Sequence, residues 1–580
     1  MDYKLHLTYD DKNQNVCVKF PYEMKEELQH IPKVYDRKNF RYILSNEFDI
    51  PILLKLFKEN EIRKDDSFEN FYNNHFLPNL RKIFLIQSGQ GKNIINRELL
   101  EKSGLKDYNL VRDYQLTAIT FAYYRKKVLI ADEMGLGKCL TSLAVTLLAK
   151  NDKSCKSVLI VCPNSTKKSV WEKEIKKWTN ESHIIYESSK KMDLTQLLHE
   201  NFYTIINYEA IRKVYNDILS NKINDLFLIV DECHFVKNRK ALQTGAIKSL
   251  SSISNYLLLL SGTPILNAVD DLWSIMDCIN TNLLGKYWDF VNRYCILKEK
   301  RVGPGITINR VVGDKNMNEL KERMAPYYIR RTKDEVLKEL PEKIYKTYTV
   351  DLYPKQREIW KYITSNFETK INNKEIKVDK NSIKNILIKL LQLCDTTYGF
   401  CDDEVSSKLD LCIEIIKEIM SEHKIVVFTW FVNTARVLKK RLDQERIECV
   451  QIDGETSIED RSKYVKKFQE DENCRVFIST ISTSGLGLDL YSADVCIFVS
   501  RSWTPKVNEQ AEDRVHRLGQ KKAVNIINIV TNTYVEEKML EVLEKKEDLF
   551  QRIFEEGIDG IKSLLSIKKG GEDVSDKRIS

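Results

Sequence analysis

The sequence predicts an α/β protein of two lobes with parallel sheets, preceded by a small α+β N-terminal domain. Two series of short apolar runs, each run followed by a helical stretch, carry the prediction. Val128 to Ala131, Val158 to Cys162, Thr204 to Ile206, Leu226 to Val230 and Tyr256 to Leu260 form the first. Ile425 to Thr429, Cys449 to Ile452, Val476 to Ser479, Val495 to Val499 and Val524 to Val530 form the second. Strands alternating with helices build a parallel sheet covered on both faces, and two interrupted series mean two sheets. At 580 residues the chain also exceeds what one core organises.

The boundaries follow from these runs. Residues 1–107 form the opening unit, 108–345 the first lobe with a charged insertion over about 280–345, 346–565 the second lobe with a C-terminal helix, and 566–580 a flexible tail. The amphipathic stretch Glu536 to Phe554 is expected to pack back on the lobes. The tail, rich in Gly, Lys and Asp, has nothing to bury.

Hydrophobic residues at 42% and charged residues at 30% describe a soluble globular protein. A net charge of +8 is modest for this length, so a surface holding a polyanion has to concentrate its charge locally. The 13 cysteines are scattered without any Cys-x-x-Cys pair, which suits reduced thiols in an intracellular compartment, nucleus or cytoplasm, rather than a zinc ribbon or a disulfide framework. The opening residues lack an apolar signal core, and no run approaches the roughly 20 apolar residues of a membrane span.

The first strand of the first series runs into Asp132-Glu133-Met134-Gly135-Leu136-Gly137-Lys138-Cys139, and a helix with Leu140, Leu143, Ala144, Leu147 and Leu148 at helical spacing follows. A buried strand, a glycine turn and a lysine opening a helix make a phosphate cradle. Gly135 and Gly137 let successive N–H groups face one concavity, and Lys138 adds a point charge for β and γ phosphates. This stretch is read as an ATP or GTP site. The residue after the lysine should carry a hydroxyl for Mg2+, yet it is Cys139, a soft ligand for a hard cation.

Leu226 to Val230 runs straight into Asp231-Glu232-Cys233-His234. A carboxylate pair at the end of a parallel strand sits on the sheet edge where such folds bind ligands. Asp231 is expected to hold Mg2+ and Glu232 to orient the attacking water as general base.

With the residues around them, these motifs resemble the Swi/Snf family of superfamily-two helicase-like ATPases over about residues 108–550. The series runs Arg112-Asp113-Tyr114-Gln115, the phosphate loop, Pro163-Asn164-Ser165 with Trp171 and Glu174, Asn207-Tyr208-Glu209, and Asp231 to His234 with Lys237-Asn238. Ser261-Gly262-Thr263-Pro264 with Asn267 and Ile329 to Lys333 with Leu340-Pro341 complete the first lobe. The second offers Asp453-Gly454, Ser479-Thr480, Gly485 to Leu488, Trp503-Thr504-Pro505 and Gln510 to Gln520. The resemblance implies two RecA-like lobes, ATP with Mg2+, adenine read by Gln115, and double-stranded or forked DNA as partner of a monomer. It also implies DNA contacts at Ser165, Lys167, Ser479, Thr480 and Trp503. Arg514 and Arg517, three apart and therefore expected on one helical face, are read as arginines for the γ phosphate.

Cys139, Ser484 and Asp489 depart from the family pattern. The insertion adds Arg293, Lys298, Lys300, Arg301, Arg310 and Lys315, a duplex contact or a solvated face. In the opening unit, Val18 to Tyr22, Ile31-Pro32, Tyr35-Asp36 and Tyr42 resemble the HARP domain of annealing helicases, in which a Trp usually stands at the Tyr42 position; the alternative is a generic α+β appendage. The function expected is a DNA-dependent ATPase that translocates on duplex DNA and remodels or anneals branched or protein-bound DNA. A catalytically weak DNA clamp, an RNA helicase and a nucleosome-type remodeller are the competing readings.

Overall fold

The computed structural model describes residues 3–25, 28–29, 31–90, 94–190, 192–221, 223, 225–262, 269–281, 283–303, 306–337, 340–372, 380–484, 488, 490–517 and 519–544. The expectations for Thr263, Pro264, Asn267, Gly485 to Gly487, Asp489, the helix beyond residue 544 and the 566–580 tail lie outside the described residues. Two compact units result, Met1–Lys338 and Glu339–Ser580.

The first unit opens with a mixed sheet of β1 (Leu5–Asp10), β2 (Asn15–Lys19), β3 (Lys33–Asp36), β4 (Arg41–Leu44) and β5 (Ile62–Lys64), in the order β3-β4-β2-β1-β5. Leu5 and Leu7 alternate inward on β1, and Leu7 registers with the buried Val18 of β2, so the period of two fixes one core face. This segment is not independent of the first lobe, because the apolar residues of both join one core cluster. Asp49 and Arg323, at 0% and 1% exposure, form an ion pair at 2.9 Å. Arg323 also donates to the Tyr294 hydroxyl, Tyr327 bonds Asn46, and Gln87 donates to the carbonyls of Ala325 and Tyr328. The small α+β region is expected and found, but as part of the first compact unit.

The lobe itself carries β6 (Lys127–Ile130), β7 (Ser157–Cys162), β8 (His183–Ile185), β9 (Tyr203–Asn207), β10 (Leu226–Asp231) and β11 (Tyr256–Leu260). An insertion hairpin, β12 (Cys295–Gly303) with β13 (Ile306–Asp314), precedes β14 (Tyr328–Ile329). The sheet order is β14-β6-β11-β10-β7-β9-β8, with parallel pairing throughout. Every residue of β7, β10 and β11 is buried, which is why these strands read as unbroken apolar runs. After the charged insertion the chain returns to the sheet, since Ile329 pairs with Ile130.

The second unit has β15 (Lys343–Val350), β16 (Ile425–Thr429), β17 (Cys449–Ile452), β18 (Val476–Thr480), β19 (Val495–Phe498) and β20 (Val524–Thr531), all parallel, in the order β15-β20-β19-β16-β18-β17. The expected lobe boundary at 345/346 therefore falls inside β15. Separate apolar clusters cover the sheet, and a third joins helices Pro354–Asn372, Lys380–Asp395 and Tyr534–Glu544. Fully buried Lys408 pins this unit, donating to Asp395 at 3.2 Å, to the Val499 carbonyl at 2.9 Å and to Glu536. No described helix is long and apolar enough to cross a membrane.

Candidate active site

The register of the first-lobe sheet sets the geometry. Ile130, Leu260 and Asp231 stand in one row across β6, β11 and β10, so the residues that follow each strand emerge side by side at its carboxyl end. They are the phosphate loop, Ser261-Gly262 and Glu232.

Gly135 and Gly137 have φ of 86° and 79°, which the turn into helix Lys138–Asn151 requires. Close approach is also enforced. A Cβ on Gly137 would lie 2.3 Å from Gln115 Nε2, and one on Gly262 would lie 2.7 Å from Met134 Cγ and 3.7 Å from Lys138 Nζ. The Lys138 ammonium donates to the carbonyls of Asp132 at 2.8 Å and Glu133 at 3.3 Å, inside its own loop. Gln115 clasps the loop, accepting from Arg112 N–H at 2.9 Å and donating to Leu136 O at 3.2 Å, where the Tyr114 hydroxyl also donates. Its carboxamide keeps a second N–H and a second lone pair for a base.

The loop is fastened from the far end of the unit as well. Arg331 Nε donates to Asp132 Oδ1 at 2.9 Å while its Nη2 takes the other carboxylate oxygen, and the Lys333 N–H donates to Glu133 at 2.7 Å. Nothing in residues 132–139 alone announces this clamp, although Ile329 to Lys333 stands in the motif series.

Asp231 ends β10 and is buried, its Oδ1 accepting from the Glu232 N–H at 3.0 Å and its Oδ2 from Trp171 Nε1 at 2.9 Å. Burial and the adjacent Glu232 push its carboxyl up to about 6, against the Trp171 N–H and the Lys138 charge, which favour the carboxylate. Each oxygen retains acceptor capacity, so the residue fits a Mg2+ ion held directly or through water. Cys139 does not fit. Burial pushes its thiol well above the ordinary value, leaving it protonated and no ligand for a hard cation. Glu232 follows at φ 51° and ψ 52°, with His234 Nδ1 3.2 Å from its Oε2.

Ser165 and Lys167 leave the same edge after β7. Lys167 donates to the Tyr186 carbonyl at 3.4 Å, and burial lowers its ammonium below the ordinary lysine value. Ser479 and Thr480 of the second unit, expected at a DNA groove, are buried at 0% and 1% exposure. Their hydroxyls bond Thr483 at 2.7 and 3.2 Å, which leaves neither side chain presented to a ligand. Trp503 is half-buried, its ring 5.4 Å from that of Trp430 with Lys384 over its face.

The expectation that Arg514 and Arg517 share a helical face is corrected. Helix Pro505–Val515 ends before Arg517, because His516 leaves helical geometry at ψ 81° and its Nε2 bonds the Pro341 carbonyl at 2.7 Å. Arg514 sits in the last helical turn and Arg517 in the loop beyond. Glu512, one turn before His516, is a structural hub bonded to Lys343, Tyr345 and Arg501.

Residues 114–398 match the SNF2-related domain, and residues 407–519 match the helicase conserved C-terminal domain. The chain belongs to the SNF2-related helicase-like ATPases. An uncharacterized ATP-dependent helicase of Mycoplasma genitalium is 26% identical to this SNF2-related chain over 562 residues, covering 96% of the chain and 49% of the relative. A second, from Mycoplasma pneumoniae, is 30% identical over 448 residues, covering 75% and 41%. The chain thus spans less than half the length of either. Among solved structures, the Sulfolobus solfataricus SWI2/SNF2 ATPase core in complex with dsDNA is 28% identical, covering 79% of this chain and 97% of that one with a TM-score of 0.37.

Proposed function

We propose that the protein is a DNA-dependent ATPase that translocates on duplex DNA and uses ATP hydrolysis to remodel or anneal branched or protein-bound DNA. The observation that carries the hydrolysis reading is the row of three strand ends that sets the Lys138 loop, Gly262 and the Asp231–Glu232 pair on one edge. Gly135 to Lys138 bind the phosphates, Gln115 meets the base, and Glu232 orients and deprotonates the attacking water. Asp231 would hold a magnesium ion, which when bound would supply charge neutralisation at the transferred phosphoryl group. Arg514 and Arg517 are the charge-stabilising groups for the γ phosphate.

The match to a helicase C-terminal domain supports a nucleic-acid track, with Ser165, Lys167 and Trp503 as contacts to backbone. For the annealing reading, support comes from exposed rings of the opening segment, Tyr35 on β3 and Tyr22 and Phe40 in the connections beside the strands. Tyr22, Tyr35 and Phe40 are 80%, 45% and 75% exposed, and Lys25 lies over the Tyr22 ring. Phe20 and Tyr42 instead stack on each other at 4.7 Å beneath Lys33, so these two half-buried rings support each other. Cys139 favours one second reading, a clamp of low turnover.

ATP turnover with no nucleic acid, single-stranded DNA, duplex, fork and RNA separates these. The proposal predicts strong activation by duplex and none by RNA. Activation by RNA alone, or none by any DNA, contradicts it.

A further inference from the structure

Glu232 stands at φ 51° and ψ 52°, a left-handed conformation that a residue other than glycine keeps only where its surroundings enforce it. Tyr208 supplies the enforcement. Its buried hydroxyl donates to the Asp231 carbonyl at 2.6 Å and lies 3.4 Å from the Glu232 carbonyl, so it engages the peptide groups on both sides of the strained Cα. The side chain of Glu232 is reached from the same residue. The Tyr208 ring stacks on Phe235 at 5.1 Å, Phe235 stacks on His234 at 4.8 Å, and His234 Nδ1 lies 3.2 Å from Glu232 Oε2.

Tyr208 also has a second connection. It follows Asn207, the last residue of β9, which registers with Cys162 at the end of β7, where the Pro163 to Lys167 segment leaves. The turn Lys167–Glu172, which begins in that segment, carries Trp171, whose Nε1 holds the other end of the pair at Asp231. The Glu209 carboxylate acts on the Lys167 ammonium, so the two segments are electrostatic neighbours. Both side chains that fix the catalytic carboxylates therefore come from the two segments beside the contacts assigned to DNA backbone.

We propose that Tyr208 is a positioning residue that couples DNA backbone held by the segments after β7 and β9 to the aim of Glu232. The inference rests on the hydrolysis reading and deepens it. A phosphate drawn against Lys167, beside the end of β9, shifts that strand end, and the Tyr208 hydroxyl carries the shift to the two carbonyls that set the turn. Duplex then raises turnover by aiming the base, without changing how ATP is held.

The test is steady-state ATP turnover by the full chain, with and without saturating blunt duplex, for wild type, Tyr208→Phe and Phe235→Leu. Tyr208→Phe keeps the ring and removes one oxygen. Its duplex-stimulated kcat should fall about tenfold or more, with the KM for ATP and the affinity for a fluorescent ADP analogue within about threefold of wild type. Phe235→Leu, at a position 45% exposed, breaks the ring chain without opening a core cavity and should lower stimulated kcat about threefold with the same split. A Tyr208→Phe kcat within about twofold of wild type overturns the inference, as does a parallel loss of kcat and ADP affinity, the mark of general structural damage. A wild type that hydrolyses no ATP overturns the hydrolysis reading together with it. An active wild type beside an equally active Tyr208→Phe overturns the positioning role alone.

Discussion

Arg331 grips Asp132 with two nitrogens, its Nε donating to Oδ1 at 2.9 Å, and thereby ties the entrance of the phosphate loop to the chain about 200 residues later. Asp132 is 1% exposed, so the pair is shielded from solvent and its geometry is bidentate. Removing the guanidinium leaves a buried carboxylate at the mouth of the loop. Arg331→Ala should raise the KM for ATP about tenfold or more, the loss of a charge-assisted bond worth about 1.5–3 kcal/mol. Arg331→Lys should not restore it, because an ammonium cannot bridge both oxygens. Equilibrium nucleotide binding checks this, and unchanged affinity in Arg331→Ala would show that the loop holds its shape alone.

The Asp49–Arg323 pair changes how the opening segment has to be tested. Deleting residues 1–100 strips a partner from a guanidinium that is 1% exposed and uncovers part of a shared core. Breaking such a pair costs about 3–5 kcal/mol, so Asp49→Ala should lower the thermal midpoint clearly and the deletion should yield little folded protein. Fork recognition is better probed by the triple variant Tyr22→Ala, Tyr35→Ala and Phe40→Ala, whose residues are exposed. Base stacking is worth about 1–3 kcal/mol per ring, so the ratio of ATPase activation by fork to that by duplex should drop towards one at matched salt. An unchanged ratio would remove the opening sheet from junction reading.

Cys139→Thr should lower the magnesium concentration for half-maximal turnover and leave kcat equal or higher, because a hydroxyl replaces a protonated thiol beside the phosphates. A magnesium titration of ATPase activity reads this. Loss of activity would show that the thiol is needed for packing at the helix start. A thiol held above its ordinary value is a slow nucleophile, so modification by thiol reagents in the absence of ATP should be slow.

Arg517→Ala should keep nucleotide affinity within a few-fold and lower kcat about a thousandfold, as removal of an arginine finger does. Arg517 stands beyond the helix and Arg514 inside its last turn, so the two should not be interchangeable, and Arg514→Ala should also cost stability. Poor ATP binding with normal hydrolysis of the bound nucleotide would assign Arg517 to binding instead.

How much of this was legible in the sequence depended on burial. Central strands such as Leu226–Asp231 are apolar on both faces and stand out, and their carboxyl ends locate the loop and the carboxylates. Lys343–Val350 escapes notice because it is an edge strand whose residues are largely exposed, so it lacks the apolar run, and the predicted boundary cuts through it. Tyr328–Ile329 is too short to register, yet it brings Arg331 to the loop. Spacing alone placed Arg514 and Arg517 on one face, since a sequence shows periodicity but not where His516 finds the Pro341 carbonyl and ends the helix. The burial of Ser479 and Thr480 was hidden for a similar reason, because a hydroxyl that bonds a neighbour one turn on reads the same as one offered to a ligand. Long-range pairs such as Asp49 with Arg323 or Lys408 with Glu536 leave no local pattern at all.

Comparing Glu232→Gln with Lys138→Ala tests whether one strand-end row binds ATP and hydrolyses it in response to duplex DNA. For each variant and wild type, ATP turnover at saturating duplex is read beside equilibrium binding of ATP and of the duplex. Wild type should turn over ATP and both variants should lose turnover; Glu232→Gln should still bind ATP while Lys138→Ala binds it weakly, and all three should bind duplex alike. Turnover that persists in Glu232→Gln, or duplex binding that disappears with Lys138, would contradict this.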